Sequence, residues 1–222
     1  MLEILLLRHG QTDWNKGGRV MGRRPIPINK VGRRESELVA QLLKNVKVDY
    51  LYASPVLRAV QTARIVMRSR RIKLETAPEL AEVEYGSWVG RTFEDVSREK
   101  QYRIYHTTPR LAHPPGGERL TDVQKRSLAF IEALKKRHRR GSVLLVTHAD
   151  VIRSILIHYL NMDLNDMLRM QIDNGSLSIL RVEKRSTDVV AVNYIPAIEK
   201  LFEGRPTDRI ASLPGHDGSD PV

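Results

Sequence analysis

The sequence predicts an α/β fold, a sheet covered by helices, and three observations carry that expectation. Apolar, β-rich runs recur at 3–7, 49–53, 72–76, 143–147, 176–182 and 189–194, each of strand length. Between several of them, apolar residues repeat at helical spacing, and strands alternating with helices build a sheet with helices packed on it. The composition of the 222 residues, 41% hydrophobic and 28% charged, is that of an ordinary globular protein and excludes collagen-like or disordered chains. The absence of an apolar run of 18 residues predicts a soluble chain with no membrane partner.

The elements follow in order. Met1-Leu-Glu3-Ile-Leu-Leu-Leu7 is too short for a signal h-region, carries Glu3 and runs into Arg8; it reads as a strand and not as a targeting segment. A helix is expected after Asn29, with Val31, Leu38, Val39 and Leu42 on its buried face. Ser54 as N-cap and Pro55 at the first helical position would start the next, whose apolar positions are Val56, Val60, Ala63 and Met67. Val123, Phe130, Ile131 and Leu134 share one face of an amphipathic segment closed by Lys135-Lys-Arg-His-Arg-Arg140, where cations suit a helix C-terminus. After the strand Val143-Leu-Leu-Val-Thr147, the stripe Ile152, Ile155, Leu156, Tyr159 and Leu160 marks another helix. Residues 85–117 have weaker periodicity and read as a lid or insertion. One domain over 1–202 and a flexible tail over 203–222, which holds Pro and Gly without apolar periodicity, complete the expected organisation.

Charge and cysteine content narrow the chemistry. The net charge is +11, and it is uneven: residues 1–150 carry 29 basic and 16 acidic side chains, net +13, whereas residues 151–222 are net −2. An anionic partner bound by the first 150 residues is therefore expected. Zero cysteines exclude a disulfide scaffold, a zinc ribbon, an iron–sulfur site and a cysteine nucleophile, and they fit the reducing cytoplasm.

Four pieces carry the chemistry. His9 in Leu7-Arg8-His9-Gly10 and His148 in Val146-Thr147-His148-Ala149 each stand at the exit of a buried strand. Ligands of open α/β sheets bind beyond the carboxyl ends of the strands, so two such histidines can converge on one site. Arg8 and Arg58, with permanently charged forks that match phosphate oxygens, suit a phosphoryl clamp. Glu82 and Glu84, on one side of an extended run, supply a carboxyl whose pKa burial can lift into the range of a general acid. Spacing does not choose between them.

The motifs Arg8-His9-Gly10-Gln-Thr12-Asp-Trp-Asn15, Ser54-Pro-x-x-Arg58-Ala-x-Gln-Thr62, Glu82-x-x-x-Gly86-x-Trp88 and Val146-Thr-His148, in that order, resemble the histidine phosphatase superfamily. That family includes the cofactor-dependent phosphoglycerate mutases, and Asn174-Gly-Ser-Leu-Ser178 agrees with a late family segment. The resemblance implies a phosphoglycerate mutase-like three-layer α/β/α sandwich with a mostly parallel sheet. It implies His9 as the nucleophile that takes the phosphoryl group, Arg8, Arg58 and His148 as the groups that hold its oxygens, and Glu82 as general acid and base. Gln11, Thr12, Asn15, Gly22 and Ala149 are the implied substrate- or phosphate-binding positions. Neither metal nor cofactor is implied, because positioning and charge neutralisation carry phosphoryl transfer and a neutral imidazole is already a nucleophile.

Glu82-Val-Glu84-Tyr85-Gly86-Ser-Trp88 and Pro115-Gly-Gly-Glu118 look like the broad phosphatase branch, which acts on small phosphomonoesters, so a phosphatase is expected ahead of a mutase. Asp150 departs from the family, which often has glycine after the second histidine. A carboxylate facing the phosphate would weaken binding, so Asp150 is expected to point away or pair with an arginine. A basic nucleic-acid-binding module is the reading of another class; with aromatics at 5% and no stacking or groove-reading motif, it is set aside. The stretch Arg98 to His113 is expected to cap the site, its cations favouring a second anionic group. A homodimer is implied by resemblance alone.

Overall fold

The two central strands each carry an unbroken apolar run, at 4–7 and 143–146, because each has a protein layer on both sides. In the computed structural model, which describes residues 1–183 and 186–196, the six β-rich runs form β1 (Leu2–Arg8), β2 (Tyr50–Ala53), β3 (Leu74–Thr76), β4 (Gly141–Thr147), β5 (Leu177–Val182) and β6 (Thr187–Tyr194). Among the described residues they make one sheet in the order β3-β2-β4-β1-β5-β6. β1, β2, β3 and β4 are parallel, β5 is antiparallel to β1, and β6 is antiparallel to β5. Ile4 and Leu6 of β1 and Val143 and Leu145 of β4 enter one core, while Leu5, Leu7, Leu144 and Val146 enter a second on the opposite face. Alternating side chains thus bury both faces, which explains the unbroken apolar runs.

The helices are α1 (Asp13–Lys16), α2 (Lys30–Leu42), α3 (Leu57–Val66), α4 (Phe93–Ser97), α5 (Lys100–Thr107), α6 (Leu120–Arg137) and α7 (Ala149–Tyr159). Val39 of α2 and Ala59, Ala63 and Val66 of α3 pack into one core. Val123, Ile131 and Leu134 of α6 and Ile152, Ile155 and Leu156 of α7 pack into the other. The result is the expected three-layer α/β/α sandwich.

Two local expectations are corrected. Asn29 does cap α2, accepting from the N–H of Gly32 at 3.0 Å, but the buried face is Gly32, Ser36 and Val39, and Val31 and Leu42 are exposed. The reason is a backbone contact: a Cβ on Gly32 would lie 2.2 Å from the Gln11 carbonyl oxygen, and one on Gly10 would lie 2.4 Å from that of Gly32. Small residues rather than the largest apolar ones therefore decide which way α2 faces. Ser54 does not cap α3. That helix starts at Leu57 after Val56, with no side-chain cap; the Ser54 hydroxyl instead accepts from the Val56 N–H at 3.2 Å, just ahead of the helix.

The segment 85–117 is docked on the sandwich. Trp88, Val96, Tyr105 and Ala112 are buried in the same core as α6 and α7, and the Trp88 indole N–H donates to Glu99 at 2.7 Å. No helix among the described residues is long and apolar enough to cross a membrane. The tail assigned to 203–222 lies outside the described residues.

Candidate active site

Strand register creates the site. β1 and β4 are adjacent and parallel with Arg8 opposite Thr147, so His9 and His148 leave the sheet side by side. The His9 N–H donates to the Thr147 carbonyl at 3.0 Å, and the imidazole centroids lie 5.1 Å apart. Both rings are buried, at the strand ends where α/β sheets bind their ligands.

His9 is held in one tautomer. Its Nδ1 lies 2.8 Å from the Gly10 carbonyl oxygen and its Nε2 accepts from Arg58 Nε at 3.1 Å. A carbonyl only accepts and an arginine only donates, so the proton is on Nδ1 and the lone pair on Nε2. Burial, with the Arg58 and Arg8 charges adding to it, keeps the ring well below its usual pKa, hence neutral. Asn174 Nδ2 donates to the His9 carbonyl at 3.0 Å, and the Gly10 N–H donates to Thr62 Oγ1 at 3.0 Å.

Arg58 is fully buried. It stands near the start of α3, and its remaining nitrogens donate to the carbonyls of Gly22 at 2.8 Å and Arg24 at 3.3 Å. Gly22 has φ +50°, a left-handed conformation that suits glycine and turns its carbonyl to the guanidinium. Arg8 donates from Nη1 to the Ile172 carbonyl at 2.6 Å. Burial and the nearby Arg153 bring Arg8 down to about 10, so it stays cationic at neutral pH. His148 Nε2 lies 2.8 Å from the Ser54 hydroxyl. Arg8 Nε and His148 Nδ1 are buried without a hydrogen-bond partner among the described residues. Buried polar nitrogens are rarely left so, and both belong to side chains of the site.

The structure separates the two glutamates. Glu82 is buried, with Oε2 3.7 Å from His148 Nδ1 and 3.9 Å from Arg58 Nη2, and its Oε1 accepts from the Val83 N–H at 2.9 Å. Burial first and Asp150 second push its carboxyl up to about 7, against the opposing pull of Arg58 and Arg8. Glu84 is half-exposed, and its Oε1 accepts from the Gly86 N–H at 3.4 Å.

The binding positions inferred from resemblance fall around this centre with different duties. Thr12 and Asn15 form a reciprocal capping box at the start of α1, and Asn174 also reaches Asn15 Oδ1 at 3.4 Å. Gln11 Oε1 accepts from Asn29 Nδ2 at 3.0 Å, joining the first loop to α2. Ala149 opens α7 directly after His148, at the positive end of that helix. Asp150 pairs with an arginine, as expected: Oδ1 accepts from Arg153 at 2.8 Å, and Oδ2 accepts from the hydroxyls of Tyr85 and Tyr105. Among the described residues no group of three His, Asp or Glu side chains is placed to hold a metal ion.

A family model, the histidine phosphatase superfamily (branch 1), matches residues 4–195. The chain belongs to this superfamily. Among curated histidine phosphatase relatives, it is 28% identical to phosphoserine phosphatase 1 of Hydrogenobacter thermophilus over 87% of this chain and 92% of that protein. It is also 28% identical to a probable phosphoglycerate mutase GpmB of Yersinia pestis, over 88% and 91%. The solved structure of Bacillus stearothermophilus YhfR superposes with a TM-score of 0.83 at 28% identity, covering 86% of this chain and 96% of that one. The family's relatives thus include a phosphatase and a mutase-like protein, and the architecture is that of the superfamily.

Sequence reasoning missed how the chain holds Glu82. The Glu82 carbonyl accepts from Arg23 Nε at 3.0 Å and from Arg126 Nη2 at 3.4 Å. Glu118 joins the two arginines, at 3.0 Å from Arg23 and 2.7 Å from Arg126. Glu118 was visible in the Pro-Gly-Gly-Glu motif, but its partners lie 95 and 8 residues away; no local pattern connects them. The cations of the expected cap are partly committed to the protein, since Arg110 pairs with Asp163 at 2.8 Å, and the buried residue of α5 is Tyr105.

Proposed function

We propose that this protein is a phosphatase that hydrolyses small phosphomonoesters through a phosphohistidine on His9. The single observation that carries the reading is the state of His9: a neutral imidazole with its lone pair on Nε2, beside two arginines, a second histidine and a buried glutamate. In the first step Nε2 leaves its bond with Arg58 and attacks phosphorus, and a P–N bond forms as the ester P–O bond breaks. Arg58, Arg8 and His148 stabilise the charge on the non-bridging oxygens. Glu82, half protonated near pH 7, gives its proton to the departing alkoxide. In the second step the ionised Glu82 takes a proton from water, which attacks phosphorus and releases inorganic phosphate from His9.

The partner is a small phosphorylated molecule, bound in the cytoplasm, and neither nucleic acid nor membrane. A site lined by buried rings at strand ends suits a compact phosphoryl group better than a polymer backbone. Incubation with phosphoserine, phosphoglycerates, sugar phosphates, ribazole phosphate and nucleotides should release phosphate from at least one, and His9→Ala should abolish the release. Retained hydrolysis in that variant would refute the assignment.

A second reading, phosphoglycerate mutase, is favoured by the GpmB relative. It differs in what meets the phosphohistidine, a reoriented phosphoglycerate in place of water. Isomerisation that depends on a bisphosphate primer would establish it, and hydrolysis without isomerisation would exclude it.

A further inference from the structure

The two arginines beside His9 are held very differently. Arg58 is tied through three nitrogens, to His9 and to the Gly22 and Arg24 carbonyls. The Arg8 guanidinium makes one hydrogen bond among the described residues, from Nη1 to the Ile172 carbonyl at 2.6 Å, and its Nε is buried without a partner. β1 fixes the Arg8 backbone, but a long side chain keeps rotamer freedom beyond its Cα. Bidentate phosphate binding needs the plane of the fork to be aimed. Among the described residues, the Ile172 carbonyl is the group that aims it.

Ile172 lies in residues 170–173, which are neither strand nor helix and connect the 3₁₀ turn Leu164–Arg169 to the turn before β5. Regular pairing therefore does not place its carbonyl, and two side chains from outside the segment do. On one side, Arg153 of α7 donates from Nε to the Met170 carbonyl at 2.8 Å and from Nη1 to Asp150 Oδ1 at 2.8 Å. Asp150 also accepts from the Tyr85 and Tyr105 hydroxyls, so Arg153 is anchored at its far end. On the other side, Asn193 of β6 accepts from the Asp173 N–H at 2.7 Å and donates from Nδ2 to Asp173 Oδ2 at 2.8 Å. Asn193 has φ +55°, a left-handed conformation uncommon outside glycine, and its own N–H donates to Ser178 Oγ at 3.1 Å. Backbone of that kind persists where its surroundings hold it. Ile172 itself, between these two clamps, is buried.

We propose that Arg153 and Asn193 are positioning residues for the phosphate clamp: they bracket residues 170–173 so that the Ile172 carbonyl aims the Arg8 guanidinium at the phosphoryl group. The inference rests on the reading of Arg8 as a phosphate-binding group. It also gives the buried Asp150, which the mechanism above does not use, a duty as the anchor of Arg153.

The test measures kcat and KM for 4-nitrophenyl phosphate, and the dissociation constant of inorganic phosphate by calorimetry, in Arg153→Gln, Asn193→Gly and Arg8→Gln, and in Arg8→Gln combined with each of the others. Asn193→Gly removes the amide yet suits the left-handed backbone, so the bracket remains testable if Arg153→Gln fails to fold. Each bracket variant should raise KM and the phosphate dissociation constant together, about tenfold, with kcat within about threefold of the parent. A misaimed Arg8 weakens bound substrate and transition state alike, whereas a purely structural role would lower kcat through loss of folded protein and leave both constants unmoved. In the Arg8→Gln background either bracket substitution should change the phosphate constant by less than about twofold, because the group it serves is gone. Unmoved constants in the folded bracket variants, or the same tenfold effect with Arg8 already replaced, would overturn the proposal. If Arg8→Gln bound phosphate as tightly as the parent, the clamp reading itself would have failed; weakened binding there with unmoved bracket variants would leave that reading standing and refute only the bracket.

Discussion

His9, Arg8 and His148 reach the site on the ends of two neighbouring strands, whereas Glu82 lies in residues 81–85, irregular backbone between two 3₁₀ turns. The phosphate side is thus positioned by backbone register: seven paired residues of β1 and β4 bring the two histidines level. The acid side is positioned by side chains, with Arg23 and Arg126 donating to the Glu82 carbonyl and Glu118 joining the two arginines. In the proposed mechanism, regular structure fixes the nucleophile and the charges that must not move. Glu82, proposed to serve a leaving group and then a water, is held by contacts that single substitutions can loosen.

This comparison can be broken most severely at the nucleophile. His9→Ala should cost at least about 10⁴-fold in kcat/KM for every phosphomonoester, whatever its leaving group. A loss confined to poor leaving groups would erase the distinction between the two sides. Glu82→Gln should cost about 10²–10⁴-fold for an alkyl phosphate and far less for 4-nitrophenyl phosphate. In the parent protein the alkyl phosphate rate should fall as pH rises through about 7, and that limb should vanish in the glutamine variant.

Loosening the support should have a smaller effect of the same kind. Glu118→Gln, which weakens the pairing with Arg126 and Arg23, should lower the alkyl phosphate rate about tenfold and spare the nitrophenyl ester. Equal losses on both would mean that the clamp supports the whole site and not the acid alone.

The smallest expected effect is thermodynamic. The folded-state pKa of Glu82, about 7, exceeds the roughly 4.3 of an unfolded glutamate. The native state therefore binds the extra proton, and stability falls as pH rises through that window. Glu82→Gln carries no such penalty, so its melting temperature should exceed that of the parent by a few degrees at pH 8 and match it near pH 4. A lower melting temperature at pH 8 would show that the glutamate is held there as a stabilising carboxylate.

What was legible in the sequence follows the same division. All six β-rich runs became strands, because continuous apolar runs and β-branched alternation are local signals. The histidines were legible for the same reason, each marked by its place at the end of a strand, whereas Arg58 was legible through its motif, Ser54-Pro-x-x-Arg58-Ala-x-Gln-Thr62. The partners of Glu82 were not, since Arg23, Glu118 and Arg126 meet it only through tertiary packing. Ser54 was misread as the cap because α3 starts at Leu57, two residues later than expected, while the Ser54 hydroxyl accepts from the Val56 N–H and meets His148, 94 residues away. The exposure of Val31 and Leu42 arose from the Gly10–Gly32 contact, where backbone proximity outranked the apolar stripe. Asp150 was correctly expected to find an arginine, but Tyr85 and Tyr105 as further donors came only with the fold.

The most direct measurement is of the phosphoenzyme itself. Glu82→Gln mixed with 4-nitrophenyl phosphate, quenched in alkali to preserve the P–N bond and mapped by mass spectrometry, should accumulate a phosphoryl group on His9. The good leaving group permits the first step, and the missing base slows the second. The parent protein should show the same adduct more briefly and His9→Ala none. Phosphoryl transfer to another residue, or turnover with no adduct on His9 under that quench, would contradict the account.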